Sequence, residues 1–253
     1  MKIKRFIFVI VTFCLLCGPF NIVTPDVSGS TIDHGIYATL LEKYVKQGQV
    51  DYRGLKSEKA RLDQYLVVLE KTDSKKLPRN ERFAFYINAY NAWTIKLILS
   101  GYPGVKSIKD LGSFLKSPWE KKICRIDEDV VTLDNIEHNI LRPRFKDPRV
   151  HFAINCAALS CPPLASEPYL GNTLDRQLDD AARAFINNPQ RNYLKYNTLS
   201  VSKIFKWFAE DFNHDIIGFF LKYVKQDVKK ELEAKRDKIK IKYLNYDWSL
   251  NGK

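Results

Sequence analysis

The sequence predicts an α+β fold, a helix-dominant single domain with short β-hairpins and a small sheet. Apolar residues recur at helical spacing through most of the chain, two pairs of short apolar segments flank turn residues, and strands and helices do not alternate regularly. The 253 residues are 45% hydrophobic and 13% aromatic, which suffices for one buried core. We therefore expect one mature domain over residues 30–253.

Three helices are predicted in the first hundred residues. Residues 34–46 carry apolar side chains at helical spacing, with Asp33 available as the cap and Gly48 as the stop. A second helix is expected over residues 57–71. The strongest pattern predicts a long helix over residues 81–100, which a glycine follows.

The remaining two thirds of the chain predict shorter elements. Segments 123–126 and 130–133 flank acidic turn residues and predict a hairpin, and a helix follows with Thr132 or Asp134 near its cap. The segment that begins at Val150 has the pattern of a short apolar strand running into a tight loop. Beyond it we expect a helix from Asn172 or Thr173, a hairpin of residues 193–196 and 199–201, helices over residues 203–211 and 214–226, and a closing segment over residues 239–248.

Residues 1–29 have the order of a secretory signal peptide. Three basic residues precede an apolar run over residues 6–16, and a breaker pair and a patch of small residues follow. The run is short for a membrane-spanning helix. We therefore expect export to the periplasm or the outside, with cleavage near residues 24–30. An uncleaved anchor and lipid attachment at Cys17 are the alternatives, and either would leave the protein membrane-associated.

The protein is strongly basic. Its formal net charge is +12, and removal of residues 1–29 would take away three basic residues and one acidic residue and leave +10. Residues 221–242 hold nine basic residues against four acidic ones. Such a surface favours an anionic envelope partner, whether phospholipid, lipopolysaccharide or acidic wall polymer, although a solvated helical face would also explain it. No zinc-finger or base-stacking pattern supports nucleic acid as a partner.

Three cysteines remain once the predicted signal is removed, namely Cys124, Cys156 and Cys161. In an oxidising compartment they would form one disulfide and one free thiol, or would stay as three buried thiols. Cys156 and Cys161 are the pair nearest in sequence. A bond across so short a loop needs a bent backbone.

The segment of residues 150–163 nominates a functional site. It gathers a histidine, two cysteines and polar groups in a few positions, and groups that ionise near neutral pH rarely cluster so closely. Cys156 is the candidate nucleophile, because a thiolate attacks carbonyl carbon and loop N–H groups can stabilise the oxyanion. His151 is a candidate catalytic base, although strand alternation would point it away from Cys156. Ser160 and Cys161 are candidate binding residues.

Two polar clusters on predicted helices supply further candidates. Asn88 and Asn91 share one face of the long helix, where they would either orient a catalytic group and a substrate or tie neighbouring loops to the helix. Asp134 and His138 are four residues apart, so a carboxylate can fix the tautomer of this imidazole. The alternative is capping by Asp134 and a surface ion pair of Glu137. From these clusters we assign Asn88, Glu137 and His138 to the catalytic set, and Asn91 and Arg142 to the binding set.

A metal site is weakly supported. His138, His151, Cys156 and Cys161 could supply ligands, but the C-x4-C spacing has no CxxC or HxxxH partner. We predict neither a metal nor another cofactor.

Five segments together resemble the domain-of-unknown-function 547 family. They are FYINAYNAW (residues 85–93), IEHNILR (136–142), HFAINCAALSCP (151–162), KWFAEDF (206–212) and YDWSLN (246–251). The chain is similar to exported bacterial members, but the resemblance implies no assigned activity. It implies that Cys156 rather than Cys161 is the functional thiol. Asn88, Asn91, Glu137, His138, Arg142, His151, Asp211, Asp247 and Trp248 also fall on motif positions, and we add Asp247 and Trp248 to the binding set.

Three functions are consistent with these residues. The first is a cysteine-dependent hydrolase or acyl-transfer enzyme that acts on an amide or ester. The second is a non-enzymatic binding module for a small molecule or peptide, with a Cys156–Cys161 disulfide. The third is a redox or metal-dependent function. We expect the Asn88/Asn91 face, His138 and the Cys156 loop to converge on one cleft, because each polar group needs a partner.

Overall fold

The computed structural model describes residues 32–252, so the predicted signal segment lies outside the described residues. The α-helices are α1 (Gly35–Tyr44), α2 (Tyr52–Ser57), α3 (Lys59–Lys71), α4 (Arg79–Gly101), α5 (Leu133–Asn135), α6 (Arg142–Phe145), α7 (Val150–Ala153), α8 (Leu174–Ile186), α9 (Ile204–Trp207), α10 (Ile216–Tyr223) and α11 (Gln226–Ala234). The strands are β1 (Val45–Lys46), β2 (Gln49–Val50), β3 (Cys124–Ile126), β4 (Asp129–Val131), β5 (Tyr193–Lys195), β6 (Thr198–Val201) and β7 (Lys240–Tyr243). Helices dominate over small sheets, which confirms the predicted fold class.

Helix α4 runs through the core and is buried all round. From Phe83 to Ile95 every residue of this helix is buried, and a helix that is apolar on all faces must lie inside the protein. The sequence prediction for this helix is confirmed, with its start two residues earlier at Arg79. It positions the site because the polar side chains on it must bond to the loops that surround it.

Both predicted hairpins are confirmed. Strands β3 and β4 pair antiparallel around Asp127 and Glu128, whose positive φ angles suit a two-residue turn between twisted strands. Strands β5 and β6 pair antiparallel, and β7 joins β6 in parallel register to complete a three-stranded sheet. Thr132 caps the helix after β4, since its Oγ1 accepts a hydrogen bond from the N–H of Asn135 at 2.9 Å.

The predicted strand at Val150 is wrong, because the segment forms the helical turn α7. Each N–H group of Val150, His151 and Phe152 donates to the carbonyl of the residue three positions earlier, namely Asp147, Pro148 and Arg149 in turn. All four residues of the turn are buried, so the apolar run gave no alternation that could separate strand from helix. The inference that strand geometry points His151 away from Cys156 therefore has no basis.

Other predicted boundaries need correction. The helix expected over residues 57–71 is α3, which begins two residues later at Lys59, and the short helix α2 before it was not predicted. The Asp51 side chain caps α2 by accepting a hydrogen bond from the N–H of Gly54. The helices expected over residues 203–211 and 214–226 are shorter: α9, a 3-10 turn at Ala209–Phe212, and α10. The left-handed backbone of Asn213 and His214 separates the last two.

The buried side chains form two clusters that meet at the candidate site. The larger one surrounds α4, and the smaller one is rich in phenylalanine and packs α8, α9 and α10 against the three-stranded sheet. After β7 the chain crosses back to the loop that follows α7. There the N–H of Leu159 donates to the carbonyl of Ser249 at 2.7 Å, and the N–H of Ser160 donates to that of Asp247 at 3.1 Å. This crossing places Tyr246 and Trp248 beside the cysteine loop.

Candidate active site

A cavity of about 230 Å³ lies where the two clusters meet. Its aromatic walls come from Tyr90, Trp119, Trp207, Phe208, Tyr246 and Trp248, and its polar groups include Ser117, Asp134, Glu137, His138, His151, Cys156 and Cys161. The predicted convergence of His138 with the Cys156 loop on one cleft is therefore confirmed. A concave, largely apolar site with a few convergent polar groups is the usual form of a small-ligand pocket.

The loop that carries the cysteines is held by Asn155. Its Oδ1 accepts hydrogen bonds from the N–H of Ala157 at 2.8 Å and from Asn251 Nδ2 at 3.2 Å, while its Nδ2 donates to the carbonyl of Pro162 at 2.7 Å. Ala157 has a φ of 60°, in the left-handed region that a non-glycine residue rarely adopts. This is the bent backbone that brings Cys156 and Cys161 face to face.

The two thiols have opposite pKa shifts. Their Sγ atoms lie 2.9 Å apart, and the hydroxyl of Tyr246 lies 3.3 Å from the Sγ of Cys156. A hydrogen bond from the Cys161 thiol, with others from Tyr246 and the N–H of Ala158, lowers the pKa of Cys156 against the effects of burial and of the Glu137 charge. Burial and the neighbouring Cys156 raise the pKa of Cys161 well above its usual value. Cys156 thus ionises first while Cys161 keeps its proton.

Most backbone N–H groups of this loop already have partners, and the N–H of Ala158 is the one that faces the Cys156 sulfur. Those of Cys156, Ala157 and Cys161 donate to the Sγ of Cys161, the Oδ1 of Asn155 and the carbonyl of Ala158. Those of Leu159 and Ser160 bind the crossing C-terminal segment. The Ala158 N–H and the Tyr246 hydroxyl are therefore the donors beside Cys156 that an oxyanion would meet.

An imidazole lies between two carboxyl groups on the cavity wall. His151 Nε2 lies 2.6 Å from Asp211 Oδ2, and its Nδ1 lies 3.9 Å from Glu137 Oε1. The ring also stacks on Phe208, with centroids 3.9 Å apart. Against the opposing effect of burial, hydrogen bonds from His151 and Arg142 hold the pKa of Asp211 well below its usual range. Asp211 is therefore an anion, and His151 donates its Nε2 proton to it.

Glu137 and His151 form a pair that can hold or release a proton near neutral pH. Burial raises the pKa of Glu137 to about 7, against the lowering effects of Tyr90 and Arg142. Burial lowers the pKa of His151 and outweighs the attraction of Asp211, so the ring is neutral with a lone pair at Nδ1.

His138 lies on the cavity wall, but both of its ring nitrogens have partners. Arg142 donates to Nδ1 at 2.8 Å, and because a guanidinium has no acceptor, this nitrogen must carry the lone pair. Nε2 faces Asp134 Oδ1 at 3.5 Å, the contact that the i,i+4 spacing predicts. Arg142 also binds Asp211 through two nitrogens, at 2.6 and 3.1 Å. His151 consequently has the free lone pair that His138 lacks.

The backbone between these groups is a π-helix over Ile136–Leu141, in which the N–H of Arg142 donates to the carbonyl of Glu137. Single turns of this wider helix occur often at functional sites. This π-helix was not predicted, because the apolar spacing of the segment also fits an α-helix.

Asn88 and Asn91 are buried and do not line the cavity. Asn88 exchanges two hydrogen bonds with the backbone of Tyr169, at 2.8 and 2.9 Å. Asn91 donates to the carbonyl of Ala153 at 2.9 Å and accepts from the N–H of Asn155 at 2.8 Å. Both contacts support the alternative that these amides tie loops to the long helix. The prediction that the Asn88/Asn91 face forms part of the cleft is therefore wrong. Asn91 nevertheless anchors Asn155, the residue next to Cys156.

The remaining binding candidates divide into two groups. Ser160 Oγ accepts a hydrogen bond from the N–H of Asp247 at 2.8 Å, while the exposed carboxylate of Asp247 accepts one from the N–H of Ser249. Both residues fasten the crossing segment to the loop. Trp248 lines the cavity and packs against Trp207 and Tyr246.

Sequence reasoning assigned no role to several cavity residues or to Asp211, which binds the cavity residue His151. Asp211 and Tyr246 stood inside quoted motifs, so a search for partners of His151 and Cys156 among the motif residues would have found them. Tyr90 is on the same helix as Asn91. Trp119 lies in a loop outside every motif, and no pattern in the sequence marks it. Among residues 32–252 no cluster of three or more histidine, cysteine or acidic side chains could hold a metal ion.

The fold and the cavity define a class of protein: a helix-dominant α+β domain with a two-thiol cavity between its two clusters. The model of the family described as protein of unknown function, DUF547, matches residues 74–186 of the chain. This match contains the long helix, the π-helix and the cysteine loop, while Asp211, Tyr246 and Trp248 lie beyond it. No curated protein and no solved structure matches the chain.

Proposed function

We propose that the cavity is the active site of a hydrolase or acyl-transfer enzyme, in which the Cys156 thiolate attacks the carbonyl carbon of an amide or ester. The observation that carries the proposal is the opposite shift of the two facing thiols, which makes Cys156 the thiolate and Cys161 its proton-bearing partner. The thiolate is the attacking species in such chemistry, and a lowered pKa increases the fraction of Cys156 that is thiolate.

The first half of the reaction forms a thioester. The sulfur of Cys156 bonds to the carbonyl carbon, and the π electron pair of the carbonyl moves to its oxygen. Tyr246 is the donor for that oxyanion, since burial raises the pKa of its hydroxyl and keeps the proton in place. When the carbonyl re-forms, the bond to the leaving nitrogen or oxygen breaks, and the leaving group takes a proton from protonated Glu137.

The second half returns the enzyme to its starting state. Water, or an acceptor alcohol or amine, attacks the thioester and gives its proton to the Glu137 carboxylate, directly or through Nδ1 of His151. The carbon–sulfur bond breaks and the thiolate of Cys156 leaves. A pKa of about 7 suits Glu137 to both roles, because a group that titrates near the working pH can donate and accept.

The size of the cavity suits a small or extended acyl group better than a bulky one. Its volume of about 230 Å³ and aromatic lining fit a short apolar or planar group, and the open side leaves room for the rest of a peptide or a longer molecule. A small molecule or a peptide is therefore the proposed substrate. We propose in addition that the protein acts outside the cytoplasm, which the order of residues 1–30 supports, and that its net positive charge favours contact with an anionic envelope surface.

A second candidate is a non-enzymatic binding module that holds its ligand in this cavity. The 2.9 Å separation of the two Sγ atoms favours it, because loss of two protons and two electrons to an external oxidant would close a Cys156–Cys161 bond with little movement. The module would then have no thiolate.

Acyl trapping separates the two candidates. Reduced protein is incubated with a panel of short-chain activated esters and thioesters, quenched in acid and digested for mass spectrometry. The enzyme proposal predicts an acyl group on Cys156, turnover that falls by about a thousandfold or more in Cys156→Ala, and retained acylation in Cys161→Ser. An unmodified Cys156 in the reduced protein, with the native protein isolated as a disulfide, would favour the binding module.

A further inference from the structure

A short loop beside the cavity exposes two large apolar side chains. Phe114 is 103% exposed and Leu115 is 86% exposed, the two highest values among the exposed large hydrophobic residues of the described chain. We call this pair the apolar tip. Side chains of this size normally pack, so a pair held in solvent indicates a contact with another apolar phase.

The loop is built to hold the apolar tip outward. A capping box stands on each side of it: Ser107 with Asp110 before, and Ser117 with Glu120 after. Between them the N–H of Ser113 donates to the carbonyl of Lys116 at 2.9 Å, and the N–H of Lys116 donates back to the Ser113 hydroxyl at 3.1 Å. The tip is therefore the outer part of a tight, hydrogen-bonded turn.

Gly112 allows the backbone segments before and after the apolar tip to approach each other. A Cβ atom at this position would lie 2.9 Å from Pro118 Cδ and 3.0 Å from the carbonyl oxygen of Lys116. Any larger residue would push these two backbone segments apart and change the orientation of the apolar tip.

Lysines surround the apolar tip. Residues 106–122 contain the exposed lysines Lys106, Lys109, Lys116, Lys121 and Lys122, and their acidic residues are Asp110 and Glu120 alone. Both carboxylates accept backbone N–H groups in the capping boxes, so they are turned toward the loop itself. The lysines consequently give the tip a positive border.

The same loop forms one wall of the cavity. Ser117 and Trp119 line it, and Trp119 packs edge to face on Trp248 with ring centroids 5.7 Å apart. The Nζ of Lys109 lies 3.9 Å from the ring centroid of Trp248. Three of the four tryptophans of the chain thus lie at this cavity, and tryptophan is the residue that membrane interfaces favour.

We propose that this loop docks the protein on an anionic phospholipid surface, with the apolar tip inserted between acyl chains and the lysine border on the head groups. The combination of an apolar point, a basic border and interfacial tryptophans is what a peripheral membrane contact requires. Charge complementarity favours a lipid surface over a neutral protein groove. The cavity wall then faces the membrane, and ligands reach Cys156 from that side. The docking does not depend on the chemistry of Cys156.

Vesicle binding tests the proposal. Co-sedimentation is measured with vesicles of phosphatidylcholine alone and of phosphatidylcholine with phosphatidylglycerol, for the chain from residue 30 onward, which contains every described residue, and for the full chain. We expect binding to the anionic vesicles, weaker binding in high salt, and a blue shift of tryptophan fluorescence. The double variant Phe114→Ser, Leu115→Ser should bind at least about tenfold more weakly, because two large apolar groups no longer leave water.

Matched variants distinguish this surface from others. Val67→Ser removes a partly exposed apolar residue from α3 and should leave binding unchanged. Lys109→Gln and Lys116→Gln should each weaken binding about fivefold, whereas Lys229→Gln and Lys230→Gln in the basic segment 221–242 should not. Three results would each overturn the proposal. The first is loss of binding in the segment variants but not in the tip variant. The others are equal binding to neutral vesicles, and no binding of the chain from residue 30 to either kind of vesicle.

Discussion

Glu137 Oε1 lies 3.9 Å from His151 Nδ1, and both groups are buried on the wall of the same cavity. The 2.6 Å contact of His151 Nε2 with Asp211 leaves its Nδ1 lone pair directed at the Glu137 carboxyl. In the proposed mechanism this pair moves the protons while Cys156 forms the covalent bond.

The raised pKa of Glu137 makes stability depend on pH with a known sign. Between the ordinary value of 4.5 and the folded value of about 7, the folded state holds a proton that the unfolded state has lost, so stability falls as pH rises through this window. Glu137→Gln removes the effect. The variant should gain stability relative to wild type by up to about 3 kcal/mol as the pH rises across the window, measured by urea unfolding. A constant difference across the window would show that Glu137 has an ordinary pKa.

Asp211 should be a large contributor to stability. Asp211→Asn leaves Arg142 and His151 without the anion that binds both, and we expect a loss of about 2 kcal/mol in the free energy of unfolding. Asp180→Asn is the matched control, because it breaks only an exposed i,i+4 pair with Arg176 and should cost less than about 0.5 kcal/mol. Equal effects of the two substitutions would contradict the network.

The position of the cysteine loop depends on Gly48 in the turn between β1 and β2. Gly48 has a φ of 78°, and a Cβ atom there would lie 2.4 Å from Pro163 Cβ. Gly48→Ala should therefore destabilise the protein by about 2 kcal/mol and disturb the loop. Gly104→Ala is the control, since its nearest contact would be 3.4 Å. Circular dichroism and alkylation of Cys156 report the two effects, and an undisturbed loop in Gly48→Ala would contradict this contact.

The N-terminal prediction lies outside the described residues and needs a direct measurement. The intact mass of native protein should correspond to a chain that begins near residue 30. Retention of residues 1–20 would indicate an anchored form, and an added diacylglycerol mass would indicate lipidation at Cys17.

The sequence was informative where local patterns decide structure. Local sequence alone determines three features, namely the apolar run of α4, the turn residues of both hairpins and the cap at Thr132. The predicted strand at Val150 was wrong because burial on every side removes the periodicity that separates a strand from a helix. Its helical turn depends on the hydrogen bonds of Asp147, Pro148 and Arg149, which an apolar pattern does not encode.

The site was predicted as a set of residues but not as an arrangement. His138, Glu137, His151 and Cys156 do share one cavity. Their partners, Asp211 and Tyr246, come from distant parts of the chain, and only the tertiary fold joins them. The engagement of His138 by Arg142 and the use of the loop N–H groups by the C-terminal segment are also tertiary, so no local spacing could reveal them.

The central claim is that hydrogen bonds from Cys161 and Tyr246 lower the pKa of the Cys156 thiol below its ordinary value. The decisive measurement is the rate of alkylation of Cys156 by iodoacetamide against pH, with buried Cys124 as the internal standard for an unreactive thiol. The account predicts reaction well below the pH at which an ordinary thiol reacts, a midpoint that rises in Cys161→Ala and Tyr246→Phe, and a midpoint that falls in Glu137→Gln. His138→Ala should leave the midpoint nearly unchanged. A wild-type midpoint at or above the ordinary thiol value, or a Cys156 that reacts only after a reductant is added and the fold loosens, would contradict it.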